Sequence, residues 1–170
     1  GPRAGVLALD LLSRDIADGL RGIAAREGAR ARPIPPGCRS LSIPESWDEL
    51  AEKVRLAAAR FRVLKLKLGS GDIARDEEIA ARAREAAPGA TIFADANGGW
   101  SPTDAAAIIP RLARIGLAFV EQPVSHQDGT QAWRELRGAL PASPLPLIAD
   151  ESVQREEDLA ALAPWIDGVN

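Results

Sequence analysis

From residue 38 to the end of the chain, two hydrophobic patterns take turns. Short apolar runs suit strands, and longer stretches with an apolar side chain every third or fourth position suit helices with one buried stripe. Strands are predicted near Cys38–Ile43, Val63–Leu68, Thr91–Asp95, Ala118–Glu121 and Pro146–Asp150, and "DGVN" at the end reads as the start of a sixth. Between them, Ser46 opens a helix running to about Arg60, with Glu49 in the capping-box position. Asp72 opens the next, which ends near "AAPG"; Ser101, followed by Pro102 and with Asp104 three residues on, opens a third. Residues 129–138 and 154–163 form two shorter helices. Ahead of these units, residues 6–27 place Leu9, Leu12, Ile16, Leu20 and Ile23 at helical spacing, and Pro33, Pro35 and Pro36 forbid that helix to continue. The chain thus divides into a helix with a Pro-rich connection, residues 1–37, and a repeating strand-helix region, residues 38–170.

Strand-helix alternation of this kind is the pattern of α/β proteins, whose parallel strands are joined by right-handed crossovers. A doubly wound sheet and a barrel share it. The strand ends lean toward the barrel: Lys67, Asp95, Glu121 and Asp150 each stand at or near the carboxyl end of an apolar stretch, and in a barrel those ends converge on one face. The predicted fold is a partial (β/α)8 TIM-type barrel of about five to six strand-helix units.

The second strand, "VLKLKL", carries its own question. Side chains alternate across a strand, so Val63, Lys65 and Lys67 share one face and Leu64, Leu66 and Leu68 the other. An ordinary amphipathic strand turns such lysines to water. The acids argue otherwise. "IFADANGGW", "AFVEQP" and "LIADES" each set a carboxylate directly after a buried-looking run, where an uncompensated charge is costly. A single acid of this kind is explained by helix capping or an arginine partner. Three of them at successive strand ends, beside an inward lysine pair, suit a hard divalent ion with oxygen ligands, and Mg²⁺ fits because it keeps positions open for substrate or water.

Composition narrows the classes. The chain has 170 residues, 46% hydrophobic and 26% charged, enough apolar material for a packed core. A formal charge of −3 provides no global cationic field, which disfavours nucleic acid and anionic membranes as partners. No apolar run approaches the roughly 20 residues of a membrane span. With Cys38 as the only cysteine and no secretory pattern at the start, a reducing cytoplasm is expected.

In this order and spacing, "LKLKLG", "ADANGGW", "VEQP" and "IADES" resemble the enolase superfamily, in its muconate-lactonizing subgroup with a lysine-x-lysine second strand. The match covers roughly residues 40–170, and the helix at 6–27 is similar to the segment that precedes the barrel there. The resemblance implies that Asp95, Glu121 and Asp150 ligate Mg²⁺, that Lys67 is the acid/base, and that Lys65 assists it by its charge. The chemistry implied is removal of the proton α to a carboxylate, with Mg²⁺ stabilising the enediolate; a Lys or His base working beside Mg²⁺ is the general pattern of that superfamily. A lysine at its reference pKa of about 10.4 is a poor base at neutral pH. Lys65, the metal and partial desolvation each disfavour a second positive charge at Lys67, which is the change a base needs.

Among the family's activities the motifs most resemble dipeptide epimerases of the L-Ala-D/L-Glu type, isomerases whose substrate is a small carboxylate, a dipeptide. o-Succinylbenzoate synthase and muconate cycloisomerase are the alternatives, and an inactive barrel fragment is the alternative of another class. The family's capping domain and the C-terminal part of its barrel have no counterpart in these residues, and neither has the second lysine of its sixth strand. The chain by itself is therefore expected to be inactive, and a homo-oligomer is compatible with it. Asn97 and Glu151 lie just beyond two of the acids and are candidates to support them by hydrogen bonds, with helix capping as the other explanation. His126 is read as a solvated loop histidine, Cys38 as buried packing, and Trp100 as core over the motif below it. "GSGD" at 69–72 resembles a phosphate-cradling loop only superficially, lacking the Lys-Ser/Thr that follows in a P-loop.

Overall fold

The structure, a computed structural model, describes residues 37–170. The predicted helix at 6–27 and the Pro-rich connection lie outside the described residues. The elements are β1 (Cys38–Leu41), α1 (Trp47–Ala58), β2 (Val63–Lys67), α2 (Ile73–Ala86), β3 (Thr91–Asp95), α3 (Pro102–Ile115), β4 (Val120–Glu121), α4 (Gly129–Ala139), β5 (Leu147–Ala149), α5 (Glu156–Leu162) and β6 (Gly168–Val169), with one 3-10 turn at His126–Asp128 before α4. The six strands are parallel and lie side by side in chain order. This is the α/β strand-helix arrangement of a partial TIM-type barrel. Among the described residues no helix is long and apolar enough to cross a membrane.

The helix starts follow their capping residues. Ser46 Oγ accepts from Glu49 N–H at 3.2 Å, and the Glu49 carboxylate accepts from Glu45 N–H at 2.9 Å, one residue earlier than a strict capping box. Asp72 Oδ1 accepts from Ala74 and Arg75, and Ser101 Oγ from Asp104, so each satisfies donors that the first helical turn leaves free. α3 stops at Gly116, whose φ of 89° is the left-handed cap that glycine adopts without strain.

Leu64, Leu66 and Leu68 are buried in one apolar cluster with Leu50 and Val54 of α1, Ile79 and Ala83 of α2, Ile108 and Leu112 of α3, and Trp133 and Leu136 of α4. The helix-facing side of β2 is therefore its leucine side. β4 and β5 are shorter than predicted, although Ala118 N–H still donates to the Ile92 carbonyl at 2.8 Å and Phe119 O accepts from Ala94. Parallel bonding thus begins before the two residues assigned to β4. Cys38 corrects an expectation: it is exposed, because β1 has a strand on one side only in this sheet and three of its four residues face outward.

Candidate active site

Alternation along β2 sends Lys65 and Lys67 to the face opposite the leucines, with side chains 15% and 34% exposed. The strand register then decides what they meet. Lys67 lies across from Asp95, and Asp95 across from Glu121, so the tips of β2, β3 and β4 present cation and carboxylates at one level. Lys65 Nζ stands between two acids, 2.7 Å from Asp95 Oδ2 and 2.9 Å from Glu121 Oε1. Lys67 Nζ donates to Asp95 Oδ2 and to Asn97 Oδ1, both at 2.7 Å.

The other acids join through hydrogen bonds. Asn97 N–H donates to Asp95 Oδ1 at 2.9 Å, and Asn97 Nδ2 donates to Glu151 Oε1 at 2.8 Å. Asp150, two residues beyond the partner of Glu121 in β5, is placed so that its carboxyl, when protonated, donates to Glu121. Asn170 Nδ2 donates to Glu121 Oε1 at 2.7 Å. Lys65, Lys67, Asp95, Asn97, Glu121, Asp150 and Glu151 are thus one connected network. His126 stands apart from it, exposed in the 3-10 turn.

The charges order the protonation states. For Asp95, burial by itself opposes ionisation, but the two ammonium groups and the Asn97 N–H outweigh it and hold the carboxyl below its ordinary range. Lys65 is the mirror case: burial works against its charge, and Asp95 and Glu121 overcome that and raise its pKa. Asp150 has no lysine contact to match. Burial, then the hydrogen bond that its protonated form donates to Glu121 and the charges of Glu151 and Glu121, push it up to about 6.

Two buried polar residues that local pattern did not reveal hold these tips in place. Asp76, on α2, is fully buried and accepts from Gly69 N–H, Ser70 N–H and Trp100 Nε1 at 2.9, 3.2 and 2.7 Å. The "GSGD" loop therefore does cradle an anion, and the anion is this protein's own carboxylate. Trp100 is core, as its position predicted, and its indole also clasps the loop after β3 to the loop after β2. Gln122, within "VEQP", is the other buried polar residue, bonded to the loop that carries Asp150.

Asp95, Glu121 and Asp150 offer oxygen donors only, the set a hard divalent cation takes. Glu151 Oε2, beside them, is buried without a hydrogen-bond partner. Among the described residues no three acidic, histidine or cysteine side chains gather closely enough to grip an ion as they stand, and Lys65 and Lys67 instead pair with the Asp95 and Glu121 oxygens. The donor chemistry fits Mg²⁺; a change in lysine pairing would accompany its binding.

The sequence model of the family "Enolase C-terminal domain-like" matches residues 49–164, well over half of the chain. The chain belongs to that family. Within it, a hydrophobic dipeptide epimerase of Roseobacter litoralis is 37% identical over 127 residues, 72% of this chain and 36% of that protein. Muconate cycloisomerase 1 of Pseudomonas putida is 30% identical over 138 residues, 80% of this chain and 36% of its own. The crystal structure of a dipeptide epimerase from Cytophaga hutchinsonii, complexed with Mg and the dipeptide D-Ala-L-Val, matches with a TM-score of 0.73 at 28% identity, covering 84% of this chain and 38% of that one. These relatives of the enolase superfamily are isomerases, and the chain spans little more than a third of their length.

Proposed function

We propose that residues 38–170 are the N-terminal part of the barrel of a Mg²⁺-dependent isomerase, with residues 1–37 leading into it, and that the whole protein epimerises dipeptides by moving the proton α to a carboxylate. The observation that carries this reading is the lysine pair of β2 interleaved with acids at 2.7–2.9 Å on the face away from the leucine core. Lys67 is the acid/base. Its Nζ takes the α-proton while the electron pair of the broken C–H bond spreads onto the substrate carboxylate. Its side chain is the more exposed of the two, so substrate reaches it, and Asp95 and Asn97 fix its Nζ. Lys65 stays charged between Asp95 and Glu121, a permanent positive neighbour of Lys67. Asp95, Glu121 and Asp150 would hold Mg²⁺, which supplies Lewis-acid stabilisation of the charge that develops. Asn97 and Glu151 keep the lysine and the acids oriented.

The test is solvent-deuterium exchange at the α-carbon of a dipeptide in the full-length protein. Lys67→Ala is expected to lower it by about 10²–10⁴-fold, the usual worth of a positioned acid/base. Exchange at the wild-type rate in that variant removes Lys67 from the mechanism. Likeness to the muconate cycloisomerase supports a second reading in which the same half-barrel serves cycloisomerisation. Turnover of muconate without exchange in any dipeptide decides for it.

A further inference from the structure

Gln122 directly follows Glu121, is fully buried, and has a φ of 40°, a left-handed conformation that costs a non-glycine residue free energy. Its carboxamide makes every hydrogen bond an amide can make. Nε2 donates to the Val124 carbonyl and to Ser152 Oγ, both at 2.7 Å, and Oε1 accepts from the backbone N–H groups of Asp150 and Ser152 at 3.0 and 3.1 Å. Its main chain bridges further: the N–H donates to the Ile148 carbonyl and the carbonyl accepts from Gly98 N–H, both at 2.8 Å. Ser152 Oγ is anchored in turn by the indole of buried Trp133 at 3.0 Å. One residue therefore joins the loops after β3, β4 and β5, the strands whose ends carry Asp95, Glu121 and Asp150.

Asp150 lies past Ala149, the last residue of β5 to pair with β6, so the sheet ladder does not hold it. Its backbone N–H is bonded to Gln122 Oε1. We propose that Gln122 is a positioning residue for the candidate cation site: its carboxamide fixes the backbone of the β5 tip, and Asp150 with it, against the tip of β4 that carries Glu121, so that both carboxylates can turn to one divalent ion. This inference rests on reading Asp95, Glu121 and Asp150 as ligands. Mg²⁺ demands near-ideal octahedral geometry, so a small displacement of one ligand is felt. Hydrogen-bonding residues behind metal ligands are worth about 10–100-fold in affinity.

The experiment titrates the whole 170-residue chain with MgCl₂ by calorimetry. Gln122→Leu removes the four side-chain bonds; Ser152→Ala removes the Oγ that Gln122 and Trp133 both donate to and leaves the carboxamide in place. Leu112→Ala, a cavity in α3 away from the strand tips, is the comparator for stability alone. Gln122→Leu is expected to weaken Mg²⁺ binding by about 10–100-fold, Ser152→Ala by a smaller factor, and Leu112→Ala not at all despite its lower melting temperature. Exchange of the Asp150 amide proton, followed by NMR, should quicken in Gln122→Leu. Wild-type affinity in folded Gln122→Leu, or an equal loss in Leu112→Ala, overturns the inference. If Gln122→Leu does not fold, Ser152→Ala decides, and unchanged affinity there overturns it as well. A wild-type chain that binds no Mg²⁺ fails earlier: it overturns the ligand reading and this inference together, a result distinct from binding that wild type and variants share.

Discussion

Lys65 neutralises two acids that are themselves almost wholly buried, Asp95 and Glu121 at 0% and 1% exposed. Taking away one partner of such a cluster leaves uncompensated charge, which typically costs about 3–5 kcal/mol. Lys65→Met should lower the unfolding free energy by about that amount in urea melts. Added Mg²⁺ should then return more stability to the variant than to the wild type, because the ion takes over the missing positive charge and binds only the folded state. A variant that melts like the wild type would show that Lys65 is not neutralising these acids. Asp150 makes the pH-dependent prediction. Its folded pKa of about 6 lies above the ordinary aspartate value of about 3.9, so in the Mg²⁺-free chain the folded state keeps a proton that the unfolded state has lost. Its contribution to stability therefore falls as pH rises from about 4 to about 6. Asp95, held below its ordinary range, acts at more acid pH and with the opposite sign: its contribution is lost as pH falls. Urea melts across pH 4–6.5 should show the Asp150 slope in the wild type and its loss in Asp150→Asn. Mg²⁺ affinity should drop on acidification through the same window, since a ligating carboxylate must first release its proton.

The loops after β2, β3 and β4 form one packed unit at the carboxyl ends of the strands. Gly69 has a φ of 79°, and a Cβ there would run into the Ala96 carbonyl oxygen; a Cβ on Gly99 would come within 2.6 Å of Gly69 O. Both contacts are backbone on backbone, so no side chain can swing aside. Gly69→Ala should therefore cost more than the roughly 1–3 kcal/mol that a left-handed backbone alone imposes on a non-glycine residue. Because Lys67 and Asp95 flank this junction, the variant should also weaken the response of thermal stability to Mg²⁺. Gly71, with a φ of 87° and open space around it, is the comparison: Gly71→Ala carries the conformational strain without the clash and should be the milder of the two. Equal melting temperatures for the two variants would show that the close approach to Ala96 is unimportant. The short helix caps belong to this scale as well. Ser46, Asp72 and Ser101 act within two or three residues of themselves, which is why they were legible before any fold was known.

At the scale of the whole molecule, the chain contains three lysines, and Lys53 is on α1, paired with Glu49. The two lysines of the candidate site lie on one strand, and on the proposed reading they would serve one side of a substrate. Epimerisation returns a proton to the opposite side, so the 170 residues alone should bind Mg²⁺ weakly and racemise no dipeptide. β1 and β6 each pair with one neighbour only in the described sheet, and Val169 on β6 is 49% exposed. Unpaired parallel edges beside apolar surface favour association, which sedimentation velocity should detect as species larger than the monomer. A monomeric chain that epimerises L-Ala-L-Glu would contradict both expectations. The sequence by itself determined the order of strands and helices, the capping residues, the split of β2 into lysine and leucine faces, and the acids at successive strand tips, because each is written within a few neighbouring positions as period, cap or strand end. The tertiary structure alone decided that Asp76 is the anion in the "GSGD" loop, that Gln122 links three strand tips, that Asn97 joins Lys67 to Glu151, and that Cys38 is exposed. Apart from the bonds that Gly69 and Ser70 donate to Asp76, seven and six residues on, the hydrogen-bonded partners concerned are 24 to 54 residues apart in the chain. Cys38 depends on which strand lies beside β1. No local pattern encodes such pairings; they exist only once parallel strands have set distant loops side by side.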